Sequence, residues 1–115
     1  MRENTWKKAA MAAMKQHGFK RNAINHSFYC EWPHCLAAAE FEIVHNKQTM
    51  RIRLDLYVYA KHDLKNLMDK VDASDYLTCQ GKADFLLEGV TREAVYDQVI
   101  DALQESIPRI SDIPD

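Results

Sequence analysis

The chain has 115 residues, 47% hydrophobic and 28% charged, with three Gly and three Pro. That describes one globular domain and excludes collagen-like, low-complexity and disordered chains. A formal charge of −2 and a pI near 6.2 argue against a dedicated nucleic-acid binder, and no apolar run reaches the ~18 residues of a membrane span.

The first element is a helix over residues 5–17. Trp6, Ala9, Ala10, Ala13, Met14 and His17 recur at three- and four-residue spacing, with Lys7, Lys8 and Lys15 off that stripe. Asn4 or Thr5 suits the start, and Gly18 followed by Phe19 suits a left-handed C-terminal cap.

The period then changes from 3.6 to 2. Residues 23–31 read as a strand, turned by Glu31-Trp32-Pro33-His34 into a second strand over 36–45. This loop sets Cys30 against Cys35, Phe28 against Ala37 and Ile24 against Phe41. The strongest strand runs from Met50 to Tyr59, with Met50, Ile52, Leu54, Leu56 and Val58 on one face. Arg51, Arg53, Asp55, Tyr57 and Tyr59 form the other. A two-residue turn at Asn46-Lys47 pairs residues whose numbers sum to 93. That register sets Phe41 on Ile52, Ile43 on Met50, Glu40 on Arg53 and Glu42 on Arg51. Two apolar and two opposite-charge matches arise together, and a one-residue slip destroys all four.

Helical spacing returns at Leu64, Leu67, Met68 and Val71, predicting a short helix over 63–72 capped by Asp63. Residues 76–80 and 83–88 then flank Gly81-Lys82 as a hairpin, or form one longer strand with a glycine kink. Thr91 caps a last helix carrying Val95, Val99, Leu103 and Ile107, which Pro108 ends. The expected fold is α+β, in the order α-β-β-β-α-β-β-α. A three-strand meander and a hairpin form an antiparallel sheet, with helices packed on one face. Residues 1–110 make a single domain and 111–115 a loose tail.

The first helix running into His17-Gly18-Phe19, and the stretch Phe85-Leu86-Leu87-Glu88-Gly89-Val90-Thr91-Arg92-Glu93, carry a resemblance. With this element order, the chain resembles the type III secretion chaperone-like fold, including the YbjN-like family. The resemblance implies a protein-binding module without catalysis, and a possible homodimer.

Charge is divided along the chain. Residues 1–22 carry six Lys/Arg and one acid, whereas residues 63–115 carry five Lys/Arg and twelve acids. The two halves either attract one another or present opposite faces to a partner. The face with Tyr29, Arg51, Arg53, Tyr57 and Tyr59 is the candidate partner-binding surface, because Tyr and Arg anchor interfaces. Its partner is expected to be another protein. RNA could use the same side chains, but Glu40, Glu42 and Asp55 would repel phosphate. The alternative site is Cys30, His34 and Cys35, as a zinc or redox centre. Otherwise no metal or cofactor is expected. Cys30, Cys35 and Cys79 are an odd count without a signal-peptide stretch, so free thiols in the cytoplasm are expected. No nucleophile–base–orienter set and no Gly-rich phosphate loop can be assembled, so an enzyme is not expected.

Overall fold

The computed structural model describes residues 3–24, 26–44, 49–59, 70–87 and 89–111. The chain is α+β, an antiparallel sheet of six strands with two helices. The elements are α1 (Glu3–Lys15), β1 (Lys20–Arg21), β2 (Phe28–Glu31), β3 (Cys35–Val44), β4 (Thr49–Val58), β5 (Ala73–Tyr76), β6 (Phe85–Leu86) and α2 (Arg92–Ile110). Strands β1 to β5 lie side by side in chain order, and β6 also pairs with β4.

Helix α1 begins two residues before the expected start, so Thr5 lies inside it. Its end follows the sequence reading. Gly18 is left-handed (φ 89°), its N–H donates to Lys15 O at 3.2 Å, and Phe19 N–H reaches Met14 O at 3.3 Å. These are the two bonds of a Schellman cap, and Met14 and Phe19 are both buried beside it.

The β3–β4 pairing has the expected register throughout, from Cys35 opposite Val58 to Val44 opposite Thr49. The Asn46-Lys47 turn itself lies outside the described residues. The β2–β3 pairing differs. Cys30 faces Ala37, and Phe28 faces Ala39, a shift of two residues. Trp32 N–H donates to Cys35 O at 2.9 Å, so Pro33 and His34 alone turn the chain. Proline fixes its own φ and so suits a tight turn better than the four-residue loop expected. An even shift leaves every side chain on its expected face. Strand β2 is also shorter than expected. Residue Ile24 is 92% exposed and does not meet Phe41. Residues 20–21 instead form β1, pairing Lys20 with Tyr29 and Arg21 with Phe28.

Beyond β4, the expected helix at 63–69 lies outside the described residues, and residues 70–72 are not helical. Asp72 approaches the sheet, with its N–H on Leu56 O and its carboxylate taking Val58 N–H at 2.7 Å. Strands β5 and β6 run in one direction along the same edge of β4, opposite 53–56 and 49–50. The arrangement is the interrupted edge strand, not an isolated hairpin. The interruption contains a tight turn one residue earlier than expected. Cys79 and Lys82 bridge, and Gln80 and Gly81 both take positive φ (54° and 77°). Two left-handed residues in succession make a type I′ turn, which matches strand twist.

Both helices pack on the face bearing Met50, Ile52, Leu54, Leu56 and Val58. Trp6, Ala10, Ala13, Val99 and Leu103 join that one core, all at 0% exposure. Burying each large aliphatic contributes about 1.5–3 kcal/mol. The small α1 residues Ala9, Ala10 and Ala13 let the helix sit close. Thr91 Oγ1 accepts Ala94 N–H at 3.1 Å, capping α2 as the sequence implies. Pro108 lies within the last turn of α2 and does not end it. It costs one backbone bond there, while Ser111 N–H still reaches Ile107 O at 2.8 Å and Ile110 is buried.

Candidate functional site

Strand alternation sends a second set of side chains to the outer face, away from both described helices. Tyr29 on β2, Leu36 and Ala38 on β3, Tyr57 on β4 and Tyr59 just past its end form a separate small apolar cluster there. Tyr76 on β5 stands opposite Arg53 and belongs to the same face. Four of the five tyrosines of the chain therefore share it.

The tyrosines differ in exposure. Tyr57 is only 6% exposed, so it supports the face more than it offers contact area. Tyr29 and Tyr59 are half-buried at the margin. Lys20 Nζ stands 5.4 Å from the centre of the Tyr29 ring and 3.7 Å from Glu31, which fixes that corner.

Beside the tyrosine cluster lies a polar network. Arg53 donates through Nε and Nη2 to the two oxygens of Asp55, at 2.7 and 3.1 Å, and through Nη1 to Glu42 at 2.6 Å. Asp55, itself 6% exposed, also accepts the Ser74 hydroxyl at 2.8 Å. Glu42 accepts the Tyr76 hydroxyl at 2.7 Å. Arg51 pairs with Asp84 at 2.5 Å and lies 5.9 Å from the centre of the Tyr76 ring.

The ion pairs thus depart from the directly opposed ladder the register suggested. Arg53 faces Glu40 in register but binds Glu42, one pair further along. The diagonal neighbour lies within reach of a long side chain on a twisted sheet. From Glu42, the Arg53 fork still reaches Asp55 on its own strand.

Each titration shift on this face has a named origin. The hydrogen bond to Glu42 is the main cause that pushes the Tyr76 phenol up. Burial, then the Asp55 and Glu40 charges, raises Tyr57; burial, then Glu31, raises Tyr59. The Arg53 guanidinium is held more firmly charged, chiefly by its bonds to Asp55. None of these groups moves toward neutral pH, where a general acid or base would work.

The cysteine–histidine alternative has a different geometry. Cys30 and Cys35 are free thiols buried in the main core, and His34 is at the exposed turn. Cys30 Sγ donates to His17 O at 3.7 Å, and burial is the main cause raising its pKa. Among the described residues, no three His, Cys, Asp or Glu side chains converge to hold a metal ion. The structure does not bring Cys30, His34 and Cys35 together as one metal site.

Sequence reasoning gathered Tyr29, Arg51, Arg53, Tyr57 and Tyr59 on one face by parity, and the fold does so too. It missed Ser74, Tyr76 and Asp84, which reach that face only through the pairing of β5 and β6 with β4. No local pattern marks that long-range pairing. Among the described residues, no helix is long and apolar enough to cross a membrane. Comparison with protein-family models, with curated proteins and with solved structures finds no match to this chain.

Proposed function

We propose that the chain is a small non-enzymatic protein-binding domain, chaperone-like or inhibitor/immunity-like, acting through the outer sheet face. One observation carries this reading: four tyrosines and two arginines share the face that neither described helix packs against. Tyr29, Tyr76, Arg53 and Arg51 are already held by contacts with Lys20, Glu42, Asp55 and Asp84 respectively. Side chains fixed before binding lose less entropy on association. Tyr29, Tyr59 and Arg51 would form the contact surface, with Tyr57 and Arg53 holding it in shape. Thiol and phenol pKa values that rise, where they move at all, favour binding over nucleophilic chemistry. Glu31, Glu40 and Glu42 on or beside this face favour a protein over RNA.

The test is capture of a partner from nuclease-treated lysate of the source cells. The unmodified chain should retain one protein stoichiometrically. Tyr29→Ala with Tyr59→Ala should lose it, while Lys8→Ala with Glu93→Ala on the helices should keep it. Capture that survives the tyrosine changes and fails with the helix changes would refute the outer face as the interface.

A further inference from the structure

On the helix side of the sheet, a half-open cleft of about 200 Å³ lies between α1 and the β1–β2–β3 corner. Lys7 of α1, Arg21 of β1 and His26 of the β1–β2 loop line it, together with Phe28 and Phe41. The cleft exists because β2 stops short. Continuing the β2–β3 register by two residues would put position 26 opposite Phe41. Instead His26 is left-handed, with φ 60°, and its N–H donates to Asn22 O at 2.9 Å. Asn22 N–H in turn donates to Ser27 O at 2.8 Å, closing the loop onto β1. The chain turns away, and the inner sheet surface beside Phe41 has no further strand among the described residues.

The charge of the cleft is one-sided. Arg21 is paired with Phe28 and so projects to the helix side, whereas Lys20 projects outward. Glu40 contributes to the wall, but alternation turns its side chain outward, where its charge acts on Arg53 and Tyr57. Lys7 Nζ stands 6.0 Å from the centre of the Phe41 ring. Among the described side chains, no carboxylate pairs with Lys7, Arg21 or His26. A glycine would hold the His26 backbone without steric cost. Histidine at this position gives a residue that lines the cleft an imidazole, which glycine would lack.

We propose that this cleft binds a small anion carried on an apolar body. A carboxylate or phosphate would sit between Lys7, Arg21 and His26, with an aromatic or aliphatic portion against Phe28 and Phe41. The volume lies below the roughly 300–1,000 Å³ of sites for drug-sized ligands, so the apolar part is about one ring. Charge-assisted donors supply affinity and the rings supply selectivity.

Phenyl phosphate, benzoate, inorganic phosphate and a short peptide ending in a phenylalanine carboxylate are titrated into the full chain at low and high salt. Amide and histidine-ring NMR signals report occupancy. Phenyl phosphate or benzoate should saturate, shift Arg21, His26 and Phe41, and bind about tenfold tighter than inorganic phosphate. Tighter binding of the peptide would assign the anion to a protein C-terminus; tighter binding of the single-ring compounds would assign it to a small molecule. Arg21→Glu and Lys7→Gln should each weaken binding about tenfold. His26→Gly should weaken it too, with a melting temperature no lower than that of the unmodified chain. No saturable binding by any probe would overturn the proposal. So would equal affinity for inorganic phosphate, or binding that His26→Gly and Arg21→Glu both leave intact.

Discussion

Ser106 of α2 and Thr78 exchange two hydrogen bonds: Thr78 N–H donates to Ser106 Oγ at 2.9 Å, and that hydroxyl donates to Thr78 O at 3.1 Å. Leu77 N–H still donates to Ile52 O at 2.9 Å, so strand alternation turns the Thr78 N–H and C=O away from β4 and toward α2. The one hydroxyl of Ser106, a residue at 0% exposure, satisfies both of these backbone groups. Ser106→Ala leaves both Thr78 groups without a partner and should cost about 1–3 kcal/mol. Urea unfolding should show a lower midpoint with an unchanged slope. A midpoint within error of the unmodified chain would mean that water replaces the hydroxyl.

The adjacent residue of α2 holds the same loop by charge. Glu105 accepts the Thr78 hydroxyl at 2.7 Å and the Gln80 and Gly81 N–H groups at 2.8 and 3.4 Å. These bonds, the Thr78 hydroxyl first, hold its carboxyl below the usual glutamate range. The ionised form is therefore the one the fold prefers. Its contribution is complete above the unfolded value of about 4.3 and disappears as pH falls through the lower folded value. Amide hydrogen exchange at Gln80 and Gly81 should lose protection across that acidic window. In Glu105→Gln that acid-dependent step should vanish. An identical profile in the variant would assign the transition to another carboxylate.

Arg53 and Asp55 make the strongest pair of the outer face. Removing one partner of a fully buried pair costs about 3–5 kcal/mol. The Arg53 side chain is 32% exposed, so solvent screens the pair and about 1–2 kcal/mol is expected for Arg53→Met. Asp55→Asn added to Arg53→Met should cost less than the sum of the two changes, because the stranded charge is gone. Strict additivity in chemical denaturation would show that the two groups act independently.

The β4 strand and its pairing with β3 were legible because several local signals agree. Alternation from Met50 to Val58 sets the faces, and opposite charges at Glu40, Glu42, Arg51 and Arg53 set the register. The same charges did not reveal their own contacts, because twist moved Arg53 to the diagonal Glu42. The β2 register was two residues off because Trp32-Pro33 reads as loop, while Trp32 in fact makes the last strand bond. Parity survived that error, so Tyr29 was placed on the right face. Burial was harder to read. Tyr57 is buried with Leu36 and Ala38, and nothing in the local sequence separates it from the half-buried Tyr59. His26 was read as a strand residue. Its left-handed backbone depends on β1, a pairing formed by two charged residues without any hydrophobic alternation.

The three thiols provide a direct test of the metal and redox alternative. Cys30 and Cys35 lie in the core, and Cys79 is half-buried between β5 and β6. Burial is the main cause raising both the Cys30 and Cys79 thiols, with Asp101 and Glu105 adding to it at Cys79. A thiol reagent works on the thiolate and needs access to it. Native protein at neutral pH should therefore label slowly, Cys79 first. Cys30 and Cys35 should label only as fast as the fold opens, and all three should label at once in denaturant. The melting temperature should not change on chelation, since no convergent ligand set joins Cys30, His34 and Cys35. Fast labelling at Cys35 in native protein, or a chelator that lowers the melting temperature, would return the function to the hairpin.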